Sequence, residues 1–263
     1  MAPDLPDDAS SPWGRVLVIM PTYNEIDSLD RVASHVLSTV PNIDILIVDD
    51  NSPDGTGALA DSLASASPRI HVLHRDGRDG LARAYLAGFA WARDTGYDVV
   101  VEMDADGSHP AETLPAMLDA LSQTPRPGLV IGSRWVPGGA VTNWPRSRLL
   151  LSRAANFYTR RALRMPTLDI TAGYRVYPIE VATAVATDVA SRGYSFQIEM
   201  AVRVFDAGLA IVEVPIVFSE RQAGRSKMSS GIVVEALLGV TRWGLQRRFG
   251  GARLAGPERA QQS

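Results

Sequence analysis

Apolar residues in the first half of the chain form short unbroken runs. Between them lie longer segments in which apolar residues recur every three or four positions. Val16-Leu17-Val18-Ile19-Met20 is one such run, stopped by Pro21, and it reads as a strand buried on both faces of a parallel sheet. Leu29, Val32, Ala33, Val36 and Leu37 then share one face of a helix from about 26 to 40. The alternation continues with a strand over 43–48 that ends at Asp49-Asp50, and a helix over 56–65 entered through the turn Asn51-Ser52-Pro53-Asp54-Gly55. After these come a short strand over 70–74, a helix over 81–95, a strand over 99–103, a helix over 112–121 and a strand over 129–132. Such alternation predicts a mostly parallel sheet with helices on both faces, whose ligands sit beyond the carboxyl ends of the strands. Three strands run into polar clusters there: Pro21-Thr22-Tyr23-Asn24-Glu25, Asp49-Asp50 and Asp104-Ala105-Asp106.

The second half reads differently. A helix over 147–165 carries Leu149, Leu150, Leu151, Ala154, Ala155, Phe157, Tyr158 and Ala162 as apolar surface. Six arginines and no acidic residue lie between Arg146 and Arg164. Another helix is expected over 192–206 and a strand over 211–218. An amphipathic helix over 231–248 has Ile232, Val233, Ala236, Leu237, Val240 and Trp243 on one side. No internal repeat or linker interrupts the pattern, so one domain over 15–248 is expected. A polar leader (1–14) should be disordered and a tail (249–263) should fray.

A chain of 263 residues can bury a core of that size, and 46% hydrophobic with 21% charged residues is ordinary for a globular domain. The absence of cysteine removes disulfides and thiolate metal sites. The N-terminus lacks the basic and apolar regions of a signal peptide, and no run of 18 apolar residues occurs. Charge changes the picture more. Residues 1–125 carry 7 basic and 20 acidic groups, whereas 126–263 carry 19 and 9. Ordinary surface charge is one explanation; the sharper one is a second half that meets phosphates, a membrane surface, or both. A nucleic-acid partner is not expected, because the basic stretches lack interleaved aromatic platforms. All basic residues are arginine except Lys227.

Asp104 and Asp106 alternate with Ala105 directly after an apolar strand. Two carboxylates in one short turn can face a hard divalent cation, and such a cation would stabilise a departing diphosphate. A helix cap or solvated turn would also account for the pair taken alone. The buried strand before it, the acidic pair Asp49-Asp50 and the PTYNE segment favour the functional reading.

At this point the chain resembles a known family. PTYNE, IVDDNSPDGT, MDADGSHPAE, GSRWVPGG and VPIVFSERQAGRSKM occur in this order over residues 15–245. They are similar to the landmarks of the dolichol-phosphate (polyprenol-phosphate) mannose synthases, within the family 2 glycosyltransferases. The resemblance implies an α/β, GT-A (Rossmann-like) nucleotide-sugar-binding fold with a mostly parallel central sheet and C-terminal amphipathic helices. It implies transfer of mannose from GDP-mannose to a polyprenyl phosphate with inversion, using magnesium or manganese. Pro21, Tyr23 and Glu25 resemble the loop that contacts guanine and ribose, and Val48 and Asp50 the next nucleotide contacts. Asp104 and Asp106, with Ala105 between them, resemble the metal- and donor-binding segment, with Ser108 near the metal. Arg134 resembles an arginine reading the acceptor phosphate. Trp144 and Arg148 lie where the family turns towards the acceptor, and either Arg146 or Arg148 matches the second phosphate contact. Arg221 and Lys227 resemble the pair over the diphosphate. The working groups of the reaction would be Asp106, Arg134, Arg221 and Lys227. Gly80-Leu81-Ala82 departs from the family's Gly-Leu-Gly and weakens a phosphate role for that loop. A UDP-glucose-dependent glucosyltransferase and a non-catalytic nucleotide-sugar-binding module remain the rival readings. The lipid acceptor implies a peripheral protein on the cytoplasmic face of a membrane, using helices 146–165 and 231–248 or a separate membrane-anchoring protein. The alternative for both helices is that their apolar strips pack on the sheet or on each other.

Overall fold

The computed structural model describes residues 12–77, 79–189, 191, 193–219 and 230–250. Its first half follows the expected alternation: β1 (Val16–Thr22), α1 (Leu29–Thr39), β2 (Ile43–Asp49), α2 (Thr56–Ala66), β3 (Ile70–His74), α3 (Leu81–Asp94) and β4 (Val99–Glu102). A 3-10 turn at Ala111–Thr113 leads into α4 (Leu114–Gln123), then β5 (Pro127–Ser133). The helix expected from 112 thus begins as a tighter turn, and Pro115 occupies the start of the α-helix proper, where its missing N–H costs nothing.

Period-two alternation within β1 divides the core. Leu17 and Ile19 join Tyr85 and Phe89 of α3 on one face of the sheet. Val16, Val18 and Met20 meet Val32 and Val36 of α1 on the other. Contact between α3 and β1 requires Gly88, where a Cβ atom would lie 2.7 Å from Cγ2 of Ile19.

After β5 come β6 (Ala140–Thr142), α5 (Arg146–Leu163), β7 (Arg175–Pro178), α6 (Ile179–Ala186), α7 (Gly193–Asp206), β8 (Ala210–Pro215), β9 (Val217–Ser219) and α8 (Ser230–Leu245). The main sheet has the order β3-β2-β1-β4-β7-β5-β8. Its strands are parallel except β7, which runs antiparallel between β4 and β5. The strand expected over 211–218 divides at Pro215–Ile216. β8 stays in the main sheet while β9 pairs with β6 in a separate two-stranded ribbon.

Helix α5 buries Asn156, Thr159 and Leu163. Its expected apolar strip is divided: Leu150 (66% exposed) and Phe157 (69%) face outward, whereas Ala162 packs against the core. On α8, Val240 is buried and Trp243 packs against the core, but Leu237 is exposed. Of the expected leader, residues 1–11 lie outside the described residues, while the Trp13 indole donates to Asp119 at 3.0 Å. Of the expected tail, 251–263 lie outside the described residues, and Gln246–Gly250 closes α8 as a π-helical turn.

Candidate active site

Strand order β2-β1-β4 places the three polar strand ends side by side at one sheet edge. Asp49 ties the first two loops together. It accepts hydrogen bonds from the Thr22 hydroxyl at 3.0 Å, the Ser52 hydroxyl at 2.5 Å and the Ser52 amide at 3.0 Å. Asn24 in turn donates its amide to the Ser52 hydroxyl at 3.1 Å. Asp49 therefore joins these loops, and the Asp50 carboxylate has a different partner. Arg75, one residue beyond β3, donates to Asp50 at 2.5 Å and to Asp79 at 3.1 Å. Burial raises the Asp50 carboxyl above its ordinary pKa; Arg75 opposes this, while Asp79 and Asp49 add to it. Tyr23 and Glu25 are partly exposed beside this edge, and so is Pro21. The Val48 side chain is buried in the core beside Leu46, leaving only its backbone for a nucleotide. Ala82 likewise turns its methyl group into the core.

The segment after β4 is a tight turn shaped by Gly107 in a left-handed conformation, φ 78°. Ala105 is buried among the core residues facing α1 and α4. Asp104 and Asp106 both act on the buried hydroxyl of Tyr85. That hydroxyl's pKa is pushed well above the ordinary tyrosine value by burial first, and then by the negative charges of Asp104, Glu102 and Asp106. Both carboxylates therefore lie within electrostatic range of one buried hydroxyl. Asp106 accepts the Ser108 amide at 2.9 Å, and the Ser108 hydroxyl is buried with no hydrogen-bond partner among the described residues. Two carboxylates and an unsatisfied hydroxyl are hard oxygen donors, the set a magnesium or manganese ion takes. Among the described residues, no group of three or more His, Cys, Asp or Glu side chains could hold a metal alone. Such a set suits an ion that takes its remaining ligands from a substrate phosphate and water.

His109 accepts the Asp104 amide through Nδ1 at 3.1 Å, so its proton sits on Nε2 when the ring is neutral. Its ring stacks on Tyr174, with centroids 4.9 Å apart, and meets Phe218 edge-on at 5.7 Å. Phe218 meets Trp144 at 5.6 Å, and Trp144 meets Trp135 at 6.5 Å. Arg134 lies 5.5–5.6 Å from the rings of Trp135, Trp144 and Phe218. Arg148 covers Trp144 at 4.1 Å and Arg153 covers Trp135 at 5.1 Å. The indole N–H groups of Trp135 and Trp144 are both buried without a hydrogen-bond partner among the described residues. A continuous path of rings thus joins the Asp104–His109 turn to three arginines.

Arg134 is also an ion-pair partner of Asp169, through Nε at 2.7 Å and Nη2 at 2.6 Å. Asp169 is placed by Glu213 of β8, which accepts the amides of Leu168 and Asp169 at 2.7 and 2.8 Å. Beneath the carboxylate turn, Arg175 is fully buried and donates to the carbonyls of Ala172, Gln197 and Ile170, each at 2.7 Å. Glu102 beside it accepts the Gln197 amide at 2.7 Å. Burial raises the Glu102 pKa to about 7, with Arg175 and Gln197 opposing and Asp104 adding.

The structure thus gathers Asp104, Asp106, Ser108, Arg134, Trp144 and Arg148 into one region, with Asp50 at the adjoining strand ends. Arg146 is exposed at the start of α5. Arg221 and Lys227 lie outside the described residues. Sequence reasoning passed over Arg75 and Asp169. Arg75 follows a strand, so the rule that flagged the other strand ends would have found it. Asp169 carries no local signal.

An open α/β sheet with carboxylates at the carboxyl ends of its strands is the architecture of a ligand-binding α/β protein. Residues 17–185 match the family model described as "Glycosyl transferase family 2", and the chain belongs to that family. Within it, the chain is 53% identical over 240 residues to undecaprenyl-phosphate mannosyltransferase of Micrococcus luteus, covering 91% of this chain and 98% of that one. It is 51% identical over 244 residues to polyprenol monophosphomannose synthase of Mycolicibacterium smegmatis, covering 92% and 91%. Among solved structures it resembles glucosyl-3-phosphoglycerate synthase from Mycobacterium tuberculosis in complex with Mn2+, uridine-diphosphate and glucosyl-3-phosphoglycerate. The TM-score is 0.63 at 21% identity, covering 90% of this chain and 80% of that one, which places the two in one fold.

Proposed function

We propose that this chain transfers mannose from GDP-mannose to the phosphate of a polyprenyl phosphate, giving β-mannosyl phosphopolyprenol with inversion. The observation that carries the reading is the ring path from the Asp104–His109 turn to Arg134, Arg148 and Arg153. It supports a reading in which the turn after β4 serves the leaving group and the arginines, on β5's end and on α5, hold the acceptor anion. The two curated relatives, whose names specify mannose and prenyl phosphate, support the donor sugar and the acceptor class.

In this reading Asp50 accepts an N–H of the base, while Tyr23 and Glu25 flank the nucleoside. Asp104, Asp106 and Ser108 would hold magnesium or manganese, whose chemistry when bound is to neutralise charge on the diphosphate. Arg221 and Lys227 are assigned to the same diphosphate on the strength of the resemblance. Arg134 and Arg148 orient the acceptor phosphate, and the buried indole N–H groups of Trp135 and Trp144 offer it further donors. One oxygen of that phosphate attacks the anomeric carbon on the face opposite the diphosphate. The new carbon–oxygen bond forms as the bond to the diphosphate breaks, and GDP departs as an anion. The nucleophile is already anionic at neutral pH, so no general base is needed; positioning and charge stabilisation carry the rate.

Among the described residues no helix is long and apolar enough to cross a membrane. The acceptor is a lipid, so the working enzyme is placed at a membrane surface, on the cytoplasmic face. The exposed faces of α5 and α8, a separate anchoring protein, or both would hold it there.

The test is product analysis with purified protein, radiolabelled GDP-mannose or UDP-glucose, and prenyl phosphates of several lengths. Label from GDP-mannose in an organic-extractable phosphodiester is the expected result. Transfer from UDP-glucose alone, or no transfer from either donor, would overturn the reading.

A further inference from the structure

Helices α5 and α8 lie against one another away from the carboxylate turn. The Tyr158 hydroxyl meets the Thr241 hydroxyl at 2.7 Å. Gly244 sits so close to α5 that a Cβ there would stand 3.0 Å from the Ala162 carbonyl oxygen. Arg247 reaches across to the Leu163 carbonyl at 2.6 Å and pairs with Asp206. Between the C-terminal halves of the two helices is a cleft of about 430 Å³, lined by Tyr158, Arg161, Arg164, Leu245, Arg247 and Arg248 among others. Arg247 has its carboxylate in Asp206. Arg161, Arg164 and Arg248 are exposed and make no ion pair among the described residues, and no acidic residue lines the cleft.

The helix dipole favours cations at a helix C-terminus, and that alone would explain one or two arginines. Two further features go beyond it. Helix α5 is capped by Arg164 itself in a left-handed conformation, φ 54°, where glycine would be less strained. In addition, each helix presents an exposed stripe that passes from apolar residues to arginine. On α5 the positions Leu150, Ala154, Phe157, Arg161 and Arg164 follow one another at steps of four and three, and all are exposed. On α8 the stripe is Leu238, Thr241 and Leu245, and the π-helical turn that follows adds Arg248 and Phe249, the latter 78% exposed. Water-facing helix surfaces carry polar residues, whereas a bilayer interface offers hydrocarbon and phosphodiester side by side. Arg161 lies thirteen residues beyond Arg148 on α5, about 20 Å at ~1.5 Å per residue, so this cleft is separate from the acceptor-facing arginines.

We propose that the cleft between the C-terminal halves of α5 and α8 binds the phosphodiester headgroup of an anionic phospholipid. Arg161, Arg164 and Arg248 hold the phosphate, while Phe157, Leu245 and Phe249 enter the acyl boundary. The inference rests on the membrane-surface reading above and adds to it a site and a lipid class. The bound lipid is a docking ligand and takes no part in the transfer.

The test is flotation of the full chain with phosphatidylcholine vesicles, with and without phosphatidylglycerol, alongside transfer to a water-soluble short-chain prenyl phosphate. The wild type should float with the anionic vesicles only. Replacing all three arginines (Arg161→Ser, Arg164→Ser, Arg248→Ser) should weaken flotation about a hundredfold, at roughly fivefold per arginine near an anionic surface. Transfer to the soluble acceptor should not change. If the triple variant fails to fold, Arg161→Ser and Arg248→Ser singly, both at exposed positions, should each show the smaller loss. Equal flotation on phosphatidylcholine alone, or wild-type flotation by folded variants, would overturn the proposal. Displacement from vesicles by millimolar inorganic phosphate would also overturn it, by showing a site for a free anion. Loss of mannosyl transfer with lipid binding intact would count against the proposed activity and leave this site standing.

Discussion

Arg134 and Asp169 face each other as a two-pronged pair. Nε and Nη2 of the arginine donate to the two carboxylate oxygens, and the Arg134 amide adds a third bond to the same carboxylate at 2.9 Å. Asp169 is fully buried and Arg134 nearly so. The guanidinium plane is therefore fixed before any acceptor arrives, held by Asp169 and by the Thr171 hydroxyl, which accepts from Nη2 at 3.1 Å, with its carbon 5.5–5.6 Å from the rings of Trp135, Trp144 and Phe218. Removing the carboxylate should cost twice. Asp169→Ala strips a buried cation of this carboxylate, a loss of about 3–5 kcal/mol that thermal unfolding would read directly. Asp169→Asn keeps the shape and one acceptor oxygen. It should fold, raise the KM for prenyl phosphate and leave the KM for GDP-mannose near the wild-type value. An unchanged acceptor KM in a folded Asp169→Asn protein would show that this pair does not position the acceptor.

Asp106 has two duties that substitution can separate. Its carboxylate accepts the Ser108 amide, which holds the turn, and its charge, like that of Asp104, acts on the buried Tyr85 hydroxyl. Asp106→Asn keeps an oxygen for the amide while removing the charge. We expect the melting temperature to stay close to wild type and transfer to fall about a thousandfold or more, as loss of several kcal/mol of charge stabilisation implies. A radiolabelled transfer assay on the folded variant checks this; near-normal rates would remove Asp106 from the mechanism.

The contrast between Asp106 and Asp169 shows what the sequence reveals. Strands β1, β2 and β4 are runs of apolar residues, interrupted in β2 only by Asp44 near its start, so their ends, and the acidic residues on them, can be placed by counting. Asp169 lies in a stretch with no period. It gains its position from partners far along the chain: Glu213 on β8 pins the 168–169 amides and Arg134 holds its carboxylate. Strand β7 is hidden for a related reason. It has four residues and begins with Arg175, a residue type that reads as surface. Burial there is possible because carbonyls from residues 170, 172 and 197 meet its donors, a condition only the folded chain creates. Periodicity also identifies α5 as a helix without saying which side goes inward. The core takes Asn156, whose amide is satisfied by the Ser152 carbonyl and the Thr171 hydroxyl, and leaves Leu150 and Phe157 outside.

Gly88 offers a test of the packing that sets the sheet edge. Helix α3 carries Tyr85, which lies under the carboxylate turn, and a methyl group at 88 would collide with the branched side chain of Ile19 on β1. Neither partner is a flexible chain end at the surface, so relief requires α3 to move off the sheet. Gly88→Ala should lower stability by about 1–3 kcal/mol despite its better helix propensity. Denaturant unfolding measures the loss, and an unchanged or raised midpoint would contradict the close contact.

Arg75 and Asp50 carry a prediction with a definite direction in pH. Burial holds the Asp50 pKa above its ordinary value, and Arg75 is the neighbour that pulls it back down. Only the ionised carboxylate can accept an N–H of the base without offering a proton of its own. Nucleotide binding should therefore be complete above the Asp50 pKa and decline as pH falls through it. Arg75→Ala removes the stabilising cation and leaves burial, Asp79 and Asp49 unopposed, so the Asp50 pKa must rise further. One effect should appear in titrations of GDP binding across the acid range: an acid limb displaced to higher pH. Asp50→Asn should bind weakly and show no such displacement when combined with Arg75→Ala. An acid limb for Arg75→Ala that coincides with the wild type would mean that Asp50 does not contact the base, and that the pair serves only to join the ends of β2 and β3.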